Sequence, residues 1–154
     1  MKAPAASPAP PAGPPPAGPA QSELALALGL VGGAVTAARV AIVEALLDSN
    51  RLQTPEALLI QARTRAPGTS LATVYRTLER LAAAGRVKRA TLASGDVGYA
   101  YCPSSHHEHI ICLGCGLVQP VRPCLIREEP ALEGFTIASH VVDFHGLCAA
   151  CARG

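Results

Sequence analysis

Tryptophan is absent, methionine occurs once, and five aromatic side chains serve 154 residues: Tyr75, Tyr99, Tyr101, Phe135 and Phe144. A core must therefore come from Ala, Leu, Val and Ile, whose burial stabilises less per residue than that of large rings. A small domain built this way gains from a structural metal. A membrane-length apolar run is also missing. The uncharged stretch at residues 24–38, "LALALGLVGGAVTAA", is shorter than the ~20 residues a span requires. The opening segment carries a single Lys and is broken by prolines, unlike a secretory leader. These absences point to a cytoplasmic protein with reduced thiols and no membrane partner.

Neither charge sign dominates, with a net charge of +2. The distribution is more informative. Residues 36–92 hold nine Lys and Arg against four Asp and Glu, a local +5, and residues 93–154 hold three against six, a local −3. The first part can face a polyanion, and the second can hold cations.

Residues 1–21 read as a tail. Eight of the first twenty residues are proline, mixed with alanine, a composition that cannot bury a core. The pattern to Gly85 is helical. Leu24, Leu28 and Val31 make a first apolar stripe, weakened by Gly29, Gly32 and Gly33. Thr36 can cap a second helix with Val40, Val43, Ala45, Leu46 and Leu47 as its apolar side. Thr54, Pro55 and Glu56 are a cap, a first helical position and a favourable acid for a third. "APGTS" breaks the chain, and "SLATVYRTLERLAAAG" forms a fourth helix with Leu71, Val74, Leu78 and Leu81 buried. "RVKRATLASGDVGYAY" then reads as a hairpin around "SGD".

Helices followed by such a hairpin describe a winged helix-turn-helix over residues 22–101. Residues 102–154 change to short strands, "HIICLG", "LVQPV" and "FTIASHVVDF", with a helical piece from Cys124 to Glu133. The expected fold class is α+β: the winged helix, then a small α/β domain.

In a helix-turn-helix, a helix like the fourth enters the major groove. Ser70 and Thr73 can meet phosphate or base edges, Arg76 guanine or phosphate, and Tyr75 phosphate or a thymine methyl. A solvated surface helix would show the same pattern, but the hairpin and the charge asymmetry favour double-stranded DNA as partner.

The cysteines point to metal. "CLGC" supplies Cys112 and Cys115, and "CAAC" supplies Cys148 and Cys151. Two residues between cysteines let both thiolates face one ion at ~2.3 Å. Two such pairs close a tetrahedral Zn2+ site with no position for substrate, so its role is structural. Disulfides and a redox C-x2-C are the competing readings, though one pair would suffice for redox work. Beside the first pair lies "HHEHIIC". In a strand, His107 and His109 share one face and His106 and Glu108 the other. Cys102 can join the first set and His140 the second, giving two further sites. Cys124 reads as a small apolar residue, and His145 as a packing or hydrogen-bonding residue by the knuckle.

The helix "SLATVYRTLERLAAAG", the run "HHEHIICLGCG" and the ending "HGLCAAC" together resemble the ferric uptake regulator family of bacterial metal-dependent repressors, over roughly residues 36–151. The resemblance implies a homodimer that binds palindromic operator DNA, with metal fixing the placement of the two domains. It puts Tyr75 and Arg76 at DNA, and the four cysteines at structural zinc. It puts His107 and His109 in a sensing site at the hinge, and His106, Glu108 and His140 in a third site. Glu128 and Glu129 are alternatives for an acidic ligand there.

Iron-sensing members bring a His from the N-terminal domain and a Glu from the wing, where this chain has Leu52 and Ala100. Cys102 stands where zinc-sensing members place a cysteine, and the ending looks like the zinc uptake regulator branch. The expected activity is zinc-responsive repression, with Fe2+ or Mn2+ the other candidates for the regulatory sites. Several zinc sensors carry an acid or His at the position of Lys88, which leaves the fourth sensor ligand open, with Asp96 a candidate. An iron- or peroxide-responsive regulator is the nearest alternative. A zinc hydrolase would need a base that Glu108, on the opposite strand face, is poorly placed to provide. A zinc-ribbon protein-interaction module is the remaining alternative. No small-molecule substrate and no enzyme activity are expected.

Overall fold

The computed structural model describes residues 21–103, 108–121, 133–136 and 142–153. Residues 1–20 of the tail, His106, His107, Cys124, Glu128, Glu129 and His140 lie outside the described residues, whereas Gln21, expected in the tail, begins the first helix. Four helices come first: α1 (Gln21–Val31), α2 (Ala37–Leu47), α3 (Pro55–Arg65) and α4 (Leu71–Ala83). The last three each begin at a hydroxyl cap. Thr36, Thr54 and Ser70 sit in extended backbone, and each side chain accepts an N–H from three residues on. This satisfies donors that a helix start leaves without partners. Helix α4 ends as its sequence suggests. Gly85 takes φ 66°, its N–H reaches Ala82 O, and Arg86 N–H reaches Leu81 O. This paired closure favours glycine and turns the chain into the wing.

The helices share one aliphatic core of Ala27, Val31, Ala41, Ile42, Val43, Leu46, Leu58, Val74, Leu78 and Leu81, among others. The core contains no aromatic ring, although Tyr99 and Tyr101 pack against its side. Helix α1 joins this core and is tied to it at both ends. Glu23 accepts the Tyr101 hydroxyl at 2.9 Å. Burial, then the Glu23 carboxylate, pushes Tyr101 up to about 12, which keeps it a donor. At the other end Arg80 donates to the carbonyls of Val31 and Gly32, and Arg39 to those of Gly32 and Ala34.

The wing is an antiparallel pair, β1 (Val87–Thr91) and β2 (Val97–Tyr101), in register Val87↔Tyr101 to Thr91↔Val97. The second unit is a three-stranded sheet in the order β4-β3-β5. Strand β3 (Glu108–Cys112) is antiparallel to β4 (Val118–Val121) and parallel to β5 (Asp143–Gly146). The expected strand "FTIASHVVDF" lies half outside the described residues, and its last two residues, Asp143 and Phe144, open β5 opposite His109 and Ile110. Alternating hydrophobicity marked the segment, but the register with β3 decides which residues pair. His145 falls inside β5 and is exposed, not packed at the knuckle.

A short segment joins the two units. Gln53 exchanges two backbone hydrogen bonds with Tyr99 of the wing. On its other side, Leu52 N–H donates to Gly116 O, and Val118 N–H donates to Asn50 O, both at 2.8 Å. Leu52, Ala100, Ile111 and Val118 form a second, smaller core at this joint. Leu52 and Ala100, the positions the resemblance assigns to iron ligands, are thus 6% and 1% exposed and packed on apolar neighbours.

The joint is tight at Gly98, where an added Cβ would sit 2.7 Å from Leu52 Cβ. Gly98→Ala should destabilise the protein by about 1–3 kcal/mol. Gly68→Ala, which meets nothing within 4 Å, should stay within about 0.5 kcal/mol. Urea unfolding followed by circular dichroism checks both, and equal midpoints would show that the joint is open.

Candidate metal centre and nucleic-acid interface

The two C-x2-C pairs converge. Cys112 ends β3, Cys115 lies in the turn to β4, and Cys148 and Cys151 follow β5. Their four Sγ atoms all lie within 4.8 Å of one another. The Cys115–Cys148 Sγ separation is 3.8 Å. Tetrahedral Zn–S bonds of ~2.3 Å require S···S edges of about 3.8 Å, so this donor set fits zinc.

The backbone shapes the cluster. Cys148 N–H donates to Cys112 Sγ at 3.3 Å. Burial pushes the Cys112 thiol up, but N–H groups of Cys148, Cys115 and Gly114 outweigh it and bring the thiol down to about 6. Cys151 is pushed up to about 12, first because its thiol donates to Cys148. Gly114 must be small, since a Cβ there would sit 2.9 Å from Cys151 Sγ. Gly116, at φ 69°, turns the chain out of the knuckle so that its carbonyl reaches Leu52.

A second cluster lies where the wing meets the sheet. Cys102 follows β2 directly, and its Sγ lies 3.4 Å from His109 Nε2. Both residues are 7% exposed. Cys102 is held at the base of the hairpin by its N–H to Arg86 O. The hairpin register separates Asp96 from this place. Asp96 lies at the tip, beyond the Thr91↔Val97 pair, and its carboxylate accepts from Ser94. A five-residue strand spans about 16 Å, too far for a shared ion. Asp96 is therefore not a ligand to the Cys102–His109 pair. Glu108, the described member of the third set, is 1% exposed.

Two residues that the motifs did not single out as ligands or contacts stand beside His109. Asp143 Oδ1 lies 3.8 Å from His109 Nδ1, and Lys88 of β1 pairs with Asp143 Oδ2. Lys88 was visible only as a departure from the family pattern. Asp143 carried no motif at all, and only the parallel register of β3 and β5 sets it against His109.

Helix α4 presents Tyr75 and Arg76 on its exposed face, with Tyr75 41% exposed. Ser70 and Thr73 are more constrained. Ser70 caps the helix, its hydroxyl lies 2.9 Å from that of Thr73, and Arg76 reaches Thr73 Oγ1 at 3.3 Å. Thr77 turns inward, 1% exposed, with its hydroxyl on Thr73 O. Much of the basic excess holds the fold together. Arg63 donates to Thr69 O, Arg65 pairs with Asp48 and Glu44, and Arg80 and Arg39 hold the end of α1. On the wing, Arg89 is exposed on β1 and is a further cation that the helix pattern did not reveal.

The sequence profile of the ferric uptake regulator family matches residues 31–145. The ferric uptake regulation protein of Campylobacter jejuni is 30% identical over 122 residues, 75% of this chain and 78% of that one. The zinc uptake regulation protein of Mycobacterium tuberculosis is 29% identical over 120 residues, 75% of this chain and 92% of its own. The structure of a zinc uptake regulator complexed with zinc and DNA is 26% identical, with TM-score 0.59, covering 86% of this chain and 95% of that one.

Zinc held by four thiolates contributes an apparent ~10–16 kcal/mol at neutral pH, which here would act as folding energy of the sheet unit. Cys115→Ser should remove about one zinc per chain, the capacity of one tetrahedral site. It should also cost the strand signal in circular dichroism while most helix signal remains. Elemental analysis with spectra reads both, and full zinc content in the variant would refute the assignment.

Proposed function

This chain belongs to the ferric uptake regulator family, whose members are metal-responsive transcriptional regulators and not enzymes; from that premise we propose that it is a zinc-responsive repressor binding operator DNA as a homodimer. The observation that carries the choice of zinc is the Cys102 thiol beside His109 at the junction of wing and sheet. His107, which the resemblance puts in the same site, would complete this donor set. One thiolate with two imidazoles suits tetrahedral Zn2+ better than Fe2+ or Mn2+. The apolar packing of Leu52 and Ala100 supports the same choice, because neither offers the oxygen or nitrogen donor expected at an iron site. Cys112, Cys115, Cys148 and Cys151 hold the structural ion, and His106, Glu108 and His140 form the third site.

Bound Zn2+ would supply a link among side chains from both units. Cys102 comes from the end of the wing, and His109 from the central strand of the sheet, so a shared ion favours the arrangement in which both are close. Ligand binding shifts a conformational equilibrium only by its differential affinity for the states. Repression follows if that arrangement is the one whose recognition helices fit the operator.

The outer face of the sheet supports dimerisation. Ile110 stands between Gln119 of β4 and Phe144 of β5 in one cross-strand row. Ile110, Phe144 and nearby Leu147 are 42%, 37% and 58% exposed. A second copy seated there would bury this row and carry two α4 helices to half-sites about one helical turn apart, or to overlapping pairs of them. Among the described residues no helix is long and apolar enough to cross a membrane. A regulator of this kind works in the cytoplasm, where its operator is.

Operator affinity should rise at least tenfold on zinc addition at fixed salt, and more than with Fe2+ or Mn2+. Equal affinity with and without zinc would sink the proposal. Arg76→Ala and Tyr75→Ala should each lose about 1–3 kcal/mol of operator binding with zinc content unchanged. Unaltered binding would move the DNA face off α4.

A further inference from the structure

His109 lies between two groups on opposite sides of its ring. Nε2 faces the Cys102 thiol at 3.4 Å, and Nδ1 faces the Asp143 carboxylate at 3.8 Å. The other oxygen of that carboxylate is engaged by Lys88, which arrives from β1 of the wing. The three side chains are 9%, 24% and 12% exposed for His109, Asp143 and Lys88. The Lys88–Asp143 pair is thus shielded beside a buried imidazole and is not a surface pair that water screens.

Chemistry gives the arrangement a purpose. A histidine that ligates through Nε2 must carry its proton on Nδ1. A carboxylate at Nδ1 selects that tautomer, fixes the ring plane and raises the basicity of the ligating nitrogen. We propose that Asp143 is the positioning residue for His109 in the sensor it shares with Cys102, and that Lys88 makes the hold of Asp143 on His109 depend on where the wing sits. The proposal rests on the reading of Cys102 and His109 as sensor ligands.

The geometry specifies how the coupling works. The carboxylate is shared, with one oxygen for the imidazole and one for the wing ammonium. Movement of β1 away from the sheet would withdraw Lys88 and leave Asp143 free to turn from the ring. The wing would then report its position to the metal ligand without itself being a ligand. Because coupling between sites is reciprocal, a metal that orders His109 also favours the Lys88–Asp143 contact.

The test uses the full chain with its four-cysteine site already loaded. Zn2+ is titrated against a chromophoric chelator, and Co2+ serves as a spectroscopic substitute. Asp143→Ala should weaken the second zinc by about 10–100-fold and reduce the tetrahedral Co2+ bands of that site, with four-cysteine zinc unchanged. Asp143→Asn keeps an acceptor for Nδ1–H and should recover part of the loss, which a merely structural aspartate would not predict. Lys88→Met should weaken zinc in the parent but have no further effect in Asp143→Ala, since the two act through one carboxylate.

Unchanged zinc affinity and Co2+ spectrum in Asp143→Ala would overturn the positioning role. Additive effects of the two substitutions would overturn the wing coupling. If Asp143→Ala does not fold, Asp143→Asn and Lys88→Met carry the same comparisons. A parent chain whose second metal is untouched by Cys102→Ala and His109→Ala would refute the sensor itself. That outcome is distinct from a working sensor indifferent to Asp143.

Discussion

The segment from Asn50 to Gln53 bonds in two directions, and the relation between the two units depends on it. One side trades backbone hydrogen bonds with Tyr99 of the wing, and the other reaches Gly116 and Val118 beside the zinc knuckle. Arg51 adds a side-chain bond to Cys115 O. Between these, Leu52 fills a small apolar core shared with Ala100, Ile111 and Val118. Burying one leucine contributes roughly 1.5–3 kcal/mol. That is enough to favour one arrangement of two small bodies and too little to make it permanent. A regulator needs a joint in this range, since a ligand must be able to shift it.

The knuckle supports this joint from the other side. Gly116, whose carbonyl receives Leu52 N–H, directly follows Cys115, and Arg51 bonds to the Cys115 carbonyl. The four sulfurs thereby set the edge against which the 50–53 segment bonds. Zinc at these cysteines would do more than close a loop of the sheet unit. It would determine whether the helical unit has a fixed surface to dock on. The shortage of aromatic side chains makes this dependence understandable, because the helical core is aliphatic throughout.

Local chemistry was the legible part of the sequence. Thr36, Thr54 and Ser70 announced helix starts, and Gly85 a helix end. The spacing of Cys112 with Cys115 and Cys148 with Cys151 announced a cysteine cluster able to hold a metal ion. Each of these signals acts within a few residues of itself. What stayed hidden depends on register between distant segments. Asp143 meets His109 because β5 runs parallel to β3 in one alignment, and no period in the sequence encodes that alignment. Alternation up to Phe144 likewise marks a strand without naming its partner, which the register with β3 supplies at Asp143 and Phe144. The basic excess of residues 36–92 also serves the fold. Arg39, Arg63, Arg65 and Arg80 bond to carbonyls and acids of the fold. A count of cations does not show which of them also hold the fold together.

Lys88 brings these threads together. Its side chain leaves the wing, the element a winged helix lays against DNA, and ends on the carboxylate behind a candidate metal ligand. A metal ligand at this position would bind the ion directly and fix the wing by coordination. A lysine cannot do that while charged. The Asp143 carboxylate offsets that charge and at the same time faces the imidazole. The ion would then feel the wing through one intervening side chain. Such a link transmits less energy than a coordination bond, so the sensor would gain its zinc selectivity from Cys102 and the histidines while the wing supplied only a bias. The division would suit a protein whose joint is already favoured by Leu52, because on the proposed reading a metal would need to add only the last few kcal/mol that separate a loose pair of units from a DNA-competent one.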